Sequence, residues 1–265
     1  MLKHKIRLLA RKYLPAQMRK SVGTVAGNFY YFVIRPVEGF VFDLGGGRFN
    51  IDGCSLEIPK DLTSVSFRSC FFEGDYEVEE RGLIRNYIQP EDSVLEMGAC
   101  LGIVSCVTNK LLKDKTRHVV IEGNPYLNAA IQRNREINGC GFLVENCAVS
   151  NQAEVTFFLN PNNIHASNSQ RGSNHGVRVP GRSWRELDAR YGPFSVLIID
   201  IEGSELEVLE SGRDILAKYR LVIIEMHPWA IGEEGVSRCR DILKEAGLVY
   251  QATAGDTEAW VRAST

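Results

Sequence analysis

Residues 93–124 read SVLEMGACLGIVSCVTNKLLKDKTRHVVIEGN. Ser93 to Met97 is an apolar run of strand length. A turn follows, Gly98-Ala99-Cys100-Leu101-Gly102. Ile103 to Leu112 has helical spacing, and a second apolar run ends on Glu122. The order is strand, glycine turn, helix, strand. Glycines at the first turn let backbone approach a ligand, and an acid at the second strand tip accepts hydrogen bonds from ribose hydroxyls. The stretch therefore predicts a nucleoside site. Its candidate residues are Glu96, Gly98, Ala99, Cys100 and Gly102 at the turn, with Glu122, Gly123 and Asn124 at the second tip. Each has a plain alternative: a strand-to-helix turn, a solvated acid at a strand end, and for Asn124 a helix N-cap.

The pattern continues outward on both sides. Residues 76–91 read as a helix that Pro90 ends. Residues 125–139 form another helix with Pro125 at its first turn. A third strand runs from about Phe142 to Val149, and EVTFFL, 154–159, adds an extra one. Residues 160–182 are polar and aperiodic, which predicts a long loop. Beyond a short helix at 184–192, the apolar strands SVLIID and LVIIEMHP alternate with helices at 204–219 and 237–245. A final hairpin turns near Gly255-Asp256. Continuous apolar strands between helices mean an α/β fold with a mostly parallel sheet covered on both faces. Ligands of such sheets sit at the carboxyl ends of the strands. Those tips carry Glu96, Glu122, Asn146, Asp200 with Glu202, and Glu225 with His227. Asn146, Cys147 or Ala148 is expected near an adenine edge, and Tyr76 is a candidate cover for the ligand.

Two cofactors fit a glycine turn and a ribose acid. A carboxylate at Glu96, expected on the ligand side, would repel a pyrophosphate. It suits a ligand with a cationic amino acid end, which favours S-adenosylmethionine over NAD.

The chain has 265 residues, 44% apolar and 24% charged, with a net charge of −2. These values describe an ordinary soluble protein and give no reason to expect nucleic acid. Its seven cysteines include no CxxC pair and predict reduced thiols in a cytoplasmic protein. Residues 1–20 hold seven Lys/Arg and no acid, with Leu2, Ile6, Leu9 and Tyr13 on one helical face. They predict a basic amphipathic helix, either solvated or peripheral to an anionic inner membrane face. Residues 21–75 alternate loosely and carry Gly45-Gly46-Gly47, which predicts a small β-rich subdomain. Residues 76–265 then form the main domain.

At this point LEMGACLG, VVIEGNP, LIIDIEGSE and VIIEMHP, in this order, resemble the FkbM family of S-adenosylmethionine-dependent methyltransferases. The approach EGDYEVEERGLIRNYIQPEDSVLEMGA, 73–99, is similar too. The likeness covers roughly residues 73–250. It implies a class I methyltransferase, Rossmann-like sheet of seven strands with a reversed terminal hairpin. It also implies O-methylation of a saccharide or glycoconjugate hydroxyl. Family members often have Asn where this chain has Cys100.

Methyl transfer to a hydroxyl needs the oxygen in line with the sulfonium methyl and relieved of its proton. His227 has a pKa suited to that task. Asp200, Glu202 and Glu225 are the other catalytic candidates, or ligands for a divalent ion such as Mg2+. Alternatively, Glu202 and Glu205 favour a helix dipole, and His227 caps a loop. Two other functions fit the same sequence. One is a non-catalytic cofactor-binding subunit of a membrane-surface glycan-assembly complex. The other is an NAD-dependent sugar oxidoreductase, which Glu96 and the lack of a YxxxK-type pair disfavour.

Overall fold

The computed structural model describes residues 29–160, 163–167 and 176–263. The basic segment 1–20 lies outside the described residues. The chain divides into two compact units, residues 1–49 with 58–76, and residues 50–57 with 77–265.

The second unit is built on the opening stretch. Helix α1, Val78–Tyr87, leads to β1, Val94–Met97. Next come α2, Ile103–Leu111, β2, His118–Ile121, α3, Asn128–Ile137, and β3, Leu143–Glu145. After an insertion, α4, Trp184–Tyr191, precedes β4, Val196–Ile199. Helices α5, Glu205–Ser211, and α6, Arg213–Leu216, lead to β5, Leu221–Glu225. The chain closes with α7, Pro228–Glu245, β6, Leu248–Ala254, and β7, Thr257–Arg262. The seven strands lie in the order β6-β7-β5-β4-β1-β2-β3. All neighbours are parallel except β7, which runs antiparallel to β5 and β6. This is the sheet that the resemblance implied.

The pattern has a simple cause. Strands β1, β2 and β4 are buried along their whole length, as continuous Val/Ile/Leu runs require. Leu95, Met97, Leu197, Ile199, Val222 and Ile224 pack into one core cluster with Trp184 and Trp260. Val94 stands in register with Val196 and His118, and Val196 with Leu221. The carboxyl ends of β1, β2, β4 and β5 therefore share one edge. All seven cysteines are free thiols, and Cys54, Cys106, Cys147 and Cys239 are buried.

Three local expectations give way to packing. The stretch 204–219 is two helices, broken at Gly212, where a Cβ would lie 2.0 Å from Trp184. The last long helix begins earlier than expected, at Pro228, and kinks at Gly232 with φ of 72°. The expected loop at 160–182 contains two strands. The insertion is a four-stranded sheet of residues 148–149, 154–160, 163–167 and 176–182. Gly176–Arg182 pairs antiparallel with Glu154–Phe158. Within Gly176–Arg182 only Val177 and Val179 turn inward between exposed neighbours, too short an alternation to announce a strand, and its pairing is a tertiary effect.

In the first unit the expected β-rich character fails over residues 30–44. A π-helical turn, Tyr30–Ile34, runs into helix α8, Arg35–Leu44, numbered here after the second unit. Among the described residues before 77, the strands are Arg48–Ile51 and Cys54–Glu57, of which residues 50–57 belong to the second unit, and a short helix spans Ser69–Glu73. Aromatic residues that looked alternating are spaced also at three and four, and the helix wins because its other face can pack. Gly39 allows that approach, since a Cβ there would meet Val65 O at 1.7 Å.

Candidate functional site

At the first strand tip the chain turns through Gly98, φ 95°, and Gly102, φ 72°. A Cβ on Gly98 would sit 1.7 Å from Asp200 O, so only glycine lets the turn pass the tip of β4. Cys100 between them also takes φ of 50°, in the left-handed region. Asn and Asp tolerate that region better than other side chains. The Asn that the family resemblance leads one to expect here would fit that conformation more easily. Asn134, fully buried on α3, holds the turn by donating to Leu101 O at 2.9 Å.

Glu122 reaches this turn from the tip of β2. Its carboxylate accepts from Ala99 N at 3.1 Å, Cys100 N at 2.8 Å and Asn124 N at 2.6 Å. Burial pushes its pKa up, and the three backbone donors oppose that rise. Asn124 accepts from Tyr126 N, so it does cap the turn Pro125–Leu127. Asn146 donates to Glu122 O at 2.7 Å, and Phe157 covers Gly123. Cys147 and Ala148 follow Asn146 and are buried.

One expected ligand residue lies elsewhere. Glu96 is 0% exposed and bound to Ser105 Oγ and to His118 Nε2, the latter at 3.0 Å. Strand alternation turns it towards α2 rather than to the edge. Its expected contact with the cofactor's amino acid end is therefore corrected: Glu96 belongs to a buried polar cluster. Tyr76 belongs to the first unit, with its ring 4.8 Å from Phe71 and 5.9 Å from Phe67.

The second constellation converges at the tips of β4 and β5. His227 Nδ1 lies 2.8 Å from Glu205 Oε1, which also accepts from Gly203 N at 2.9 Å. A neutral His227 then donates through Nδ1 and leaves Nε2 as the open acceptor. Nε2 lies 3.6 Å from Asp200 Oδ1 and 3.7 Å from Glu202 Oε2. The ring meets Trp229 edge-on at 5.5 Å. Glu202 holds φ of 54° and Glu77 φ of 48°, non-glycine outliers of the kind that gather at functional sites.

Sequence reading missed three members. Glu77 and Glu80, at and just inside the start of α1, bring an oxygen each to within 4.8 Å of one on Asp200. Their signal was the spacing of EVEE, which places two acids one turn apart. Glu205 was read only as a helix-dipole acid. It is 0% exposed, and its Oε2 is buried without a hydrogen-bond partner, as is Asp200 Oδ1.

The charge balance here is one-sided. Burial, then the charges of neighbouring acids, pushes Glu80 and Asp200 well above the usual carboxylate range. The same causes push Glu225 up to about 7. Burial favours a neutral His227, but the Glu205 hydrogen bond and the surrounding acids outweigh it, and its pKa rises. Among the described residues, the groups that shift these pKa values most are acids and His227, with no lysine or arginine among them. Such a pocket fits a cationic ligand. Asp200, Glu202 and His227 offer one set of atoms spaced for a metal ion, and Glu77, Glu80 and Asp200 another. Glu225, an expected ligand, joins neither set.

A family model described as "Methyltransferase FkbM domain" matches residues 96–250, more than half of the chain. No curated protein matches it. Among solved structures, a methyltransferase from Pyrococcus furiosus is similar at 12% identity and a TM-score of 0.49, covering 86% of this chain and 98% of that one. An O-methyltransferase from Bacillus cereus, in complex with SAH, gives 13% and 0.45, covering 89% and 96%. A precorrin-6y C5,15-methyltransferase from Geobacter metallireducens gives 9% and 0.47, covering 78% and 94%.

Proposed function

The chain belongs to the FkbM methyltransferase family, and from that premise we propose that it methylates a hydroxyl of a saccharide or glycoconjugate. Its class is that of S-adenosylmethionine-dependent methyltransferases. The observation that supports O-methyl transfer is the held histidine: Glu205 fixes Nδ1 at 2.8 Å, and Nε2 opens between Asp200 and Glu202 at the strand tips.

The residues fit the cofactor by charge. When bound, S-adenosylmethionine supplies an electrophilic methyl group on a sulfonium centre. Buried acids, Asp200 and Glu80 foremost, favour a cationic ligand over its neutral product. Glu122, at the β2 tip, is the candidate for the ribose, and the Gly98–Gly102 turn for close backbone approach. Gly123, Cys147 and Ala148 remain candidates around the nucleoside.

His227 is then the general base. Nε2 would take the acceptor hydroxyl's proton as that oxygen is methylated. Glu205 stabilises the resulting imidazolium through Nδ1, and Asp200 and Glu202 do so from the Nε2 side. Glu225, with a pKa near 7, is a reserve proton carrier at the same edge.

A second reading keeps the reaction and changes how the hydroxyl is activated. The Asp200, Glu202 and His227 atoms, all within 4.8 Å of one another, suit a divalent ion. One assay distinguishes these cases. S-adenosylhomocysteine formation is followed on a panel of saccharide acceptors, with and without a chelator. Turnover that survives chelation supports the histidine base, and turnover lost to chelation and restored by Mg2+ supports the metal. Saturable S-adenosylmethionine binding with no turnover on any saccharide overturns the acceptor assignment and favours a non-catalytic subunit.

A further inference from the structure

The helical segment of the first unit wears its polarity inside out. Tyr30, Arg35 and Asp43 turn inward and are paired. Asp43 accepts two hydrogen bonds from the Arg68 guanidinium, at 2.7 and 2.8 Å. Tyr30 donates to Glu73 at 2.7 Å, and Arg35 Nε to Ser69 Oγ at 2.8 Å. Phe42 packs inward too, 5.8 Å from the Phe71 ring. The outward face is apolar. Val37, Phe40, Val41 and Leu44 stand at i, i+3, i+4 and i+7 on α8, one helix face. Phe29 and Val33 extend the stripe through the π-helical turn. These six side chains are between 43% and 73% exposed. A helix that only needed solubility would show water its charges and hide its phenylalanines. Large apolar patches left in the open mark interaction sites.

Length and charge indicate what the stripe meets. The helical stretch 30–44 spans about 22 Å at 1.5 Å per residue, short of a hydrocarbon core of about 30 Å. No described helix is long and apolar enough to cross a membrane. The twenty residues at the start of the chain carry seven Lys/Arg and no acid. A basic segment followed closely by an apolar helix face matches an anionic lipid surface: cations meet headgroups while phenylalanine, valine and leucine enter the acyl boundary.

We propose that the Phe29–Leu44 apolar face docks the protein flat on an anionic lipid bilayer, with residues 1–20 adding electrostatic attraction. The inference does not rest on the methyl-transfer reading, because it uses neither the acid cluster nor the glycine turn.

The test is co-sedimentation of the full chain with vesicles of phosphatidylcholine alone and of phosphatidylcholine with one third phosphatidylglycerol. Wild type should bind the anionic vesicles at least about tenfold more tightly than the neutral ones. Phe40→Ser with Leu44→Ser should weaken that binding by about tenfold or more, at unchanged melting temperature, because both side chains are exposed. Lys3→Gln with Lys5→Gln and Arg7→Gln should narrow the difference between the two vesicle types. Equal binding by wild type and the Phe40/Leu44 double variant overturns the proposal. So does a wild type that ignores vesicles, whether as a monomer whose stripe is covered by its own chain or as a dimer that the double variant dissociates. The dimer outcome would assign the face to a second copy instead.

Discussion

Two carboxylates stand on neighbouring strands, two residues out of step, and live differently. Glu96 on β1 is buried, and its oxygens are taken by Ser105 and His118. Asp200, just past β4, keeps Oδ1 without a hydrogen bond and sits among Glu77, Glu80, Glu202 and Glu225. The same contrast separates the two halves of the edge. The turn around Glu122 is satisfied by backbone donors and is rigid before any ligand arrives. The β4–β5 tips instead gather acids that push one another's pKa up. A paired buried carboxylate contributes to the fold, whereas an unpaired one makes room for a ligand.

The contrast breaks first at His227. His227→Ala should lower kcat by about 10^2- to 10^4-fold while S-adenosylmethionine binding by calorimetry stays near wild type. Glu205→Gln should cost about 10- to 100-fold and also move the pH profile. Glu205 raises the His227 pKa above its ordinary 6.5, and the working base is the neutral ring. The rising limb should therefore shift to lower pH in Glu205→Gln. An unshifted limb would detach His227 from catalysis.

On the satisfied half, Glu122→Gln leaves one oxygen for three backbone donors. S-adenosylmethionine affinity, read by calorimetry, should fall by about 10- to 100-fold, the worth of one or two charge-assisted hydrogen bonds. Unchanged affinity would remove Glu122 from the nucleoside site.

Glu80→Gln sharpens the comparison through stability. The folded-state pKa of Glu80 is raised. Such a group adds stability below its unfolded value of 4.5 and loses it as pH rises. The ligand-free protein should therefore melt lower at pH 8 than at pH 5. Glu80→Gln should recover part of that loss, a Tm gain of about 2–4 °C for each kcal/mol relieved. A variant that melts lower than wild type at pH 8 would show that Glu80 is compensated.

The smallest effect belongs to Cys100. A left-handed conformation costs an ordinary side chain roughly 1–2 kcal/mol. Cys100→Asn should raise Tm by about 1–3 °C with cofactor affinity retained. A lower Tm would mean that the thiol earns its place by packing.

Much of this was written in the linear sequence. The strand order up to β3, the glycine turn and the acids at the tips follow from apolar period and punctuation alone, because a strand buried on both faces must be continuously apolar. The motifs LEMGACLG and VIIEMHP also carried the family. Asp200, Glu202 and His227 were legible as strand-tip residues, and they do converge. What the sequence could not carry was direction. Glu96 turns inward because strand neighbours alternate faces and α2 offers Ser105 beside it. Glu77 and Glu80 join Asp200 across more than a hundred residues, and Glu205 meets His227 only when α5 packs against α7. Residues 30–44 became helix, with phenylalanines outward, because Gly39 and Arg68 gave the polar face somewhere to go. Local chemistry sets which residues are available at each tip. Only packing in three dimensions decides which charges end up paired and which are left open for a ligand.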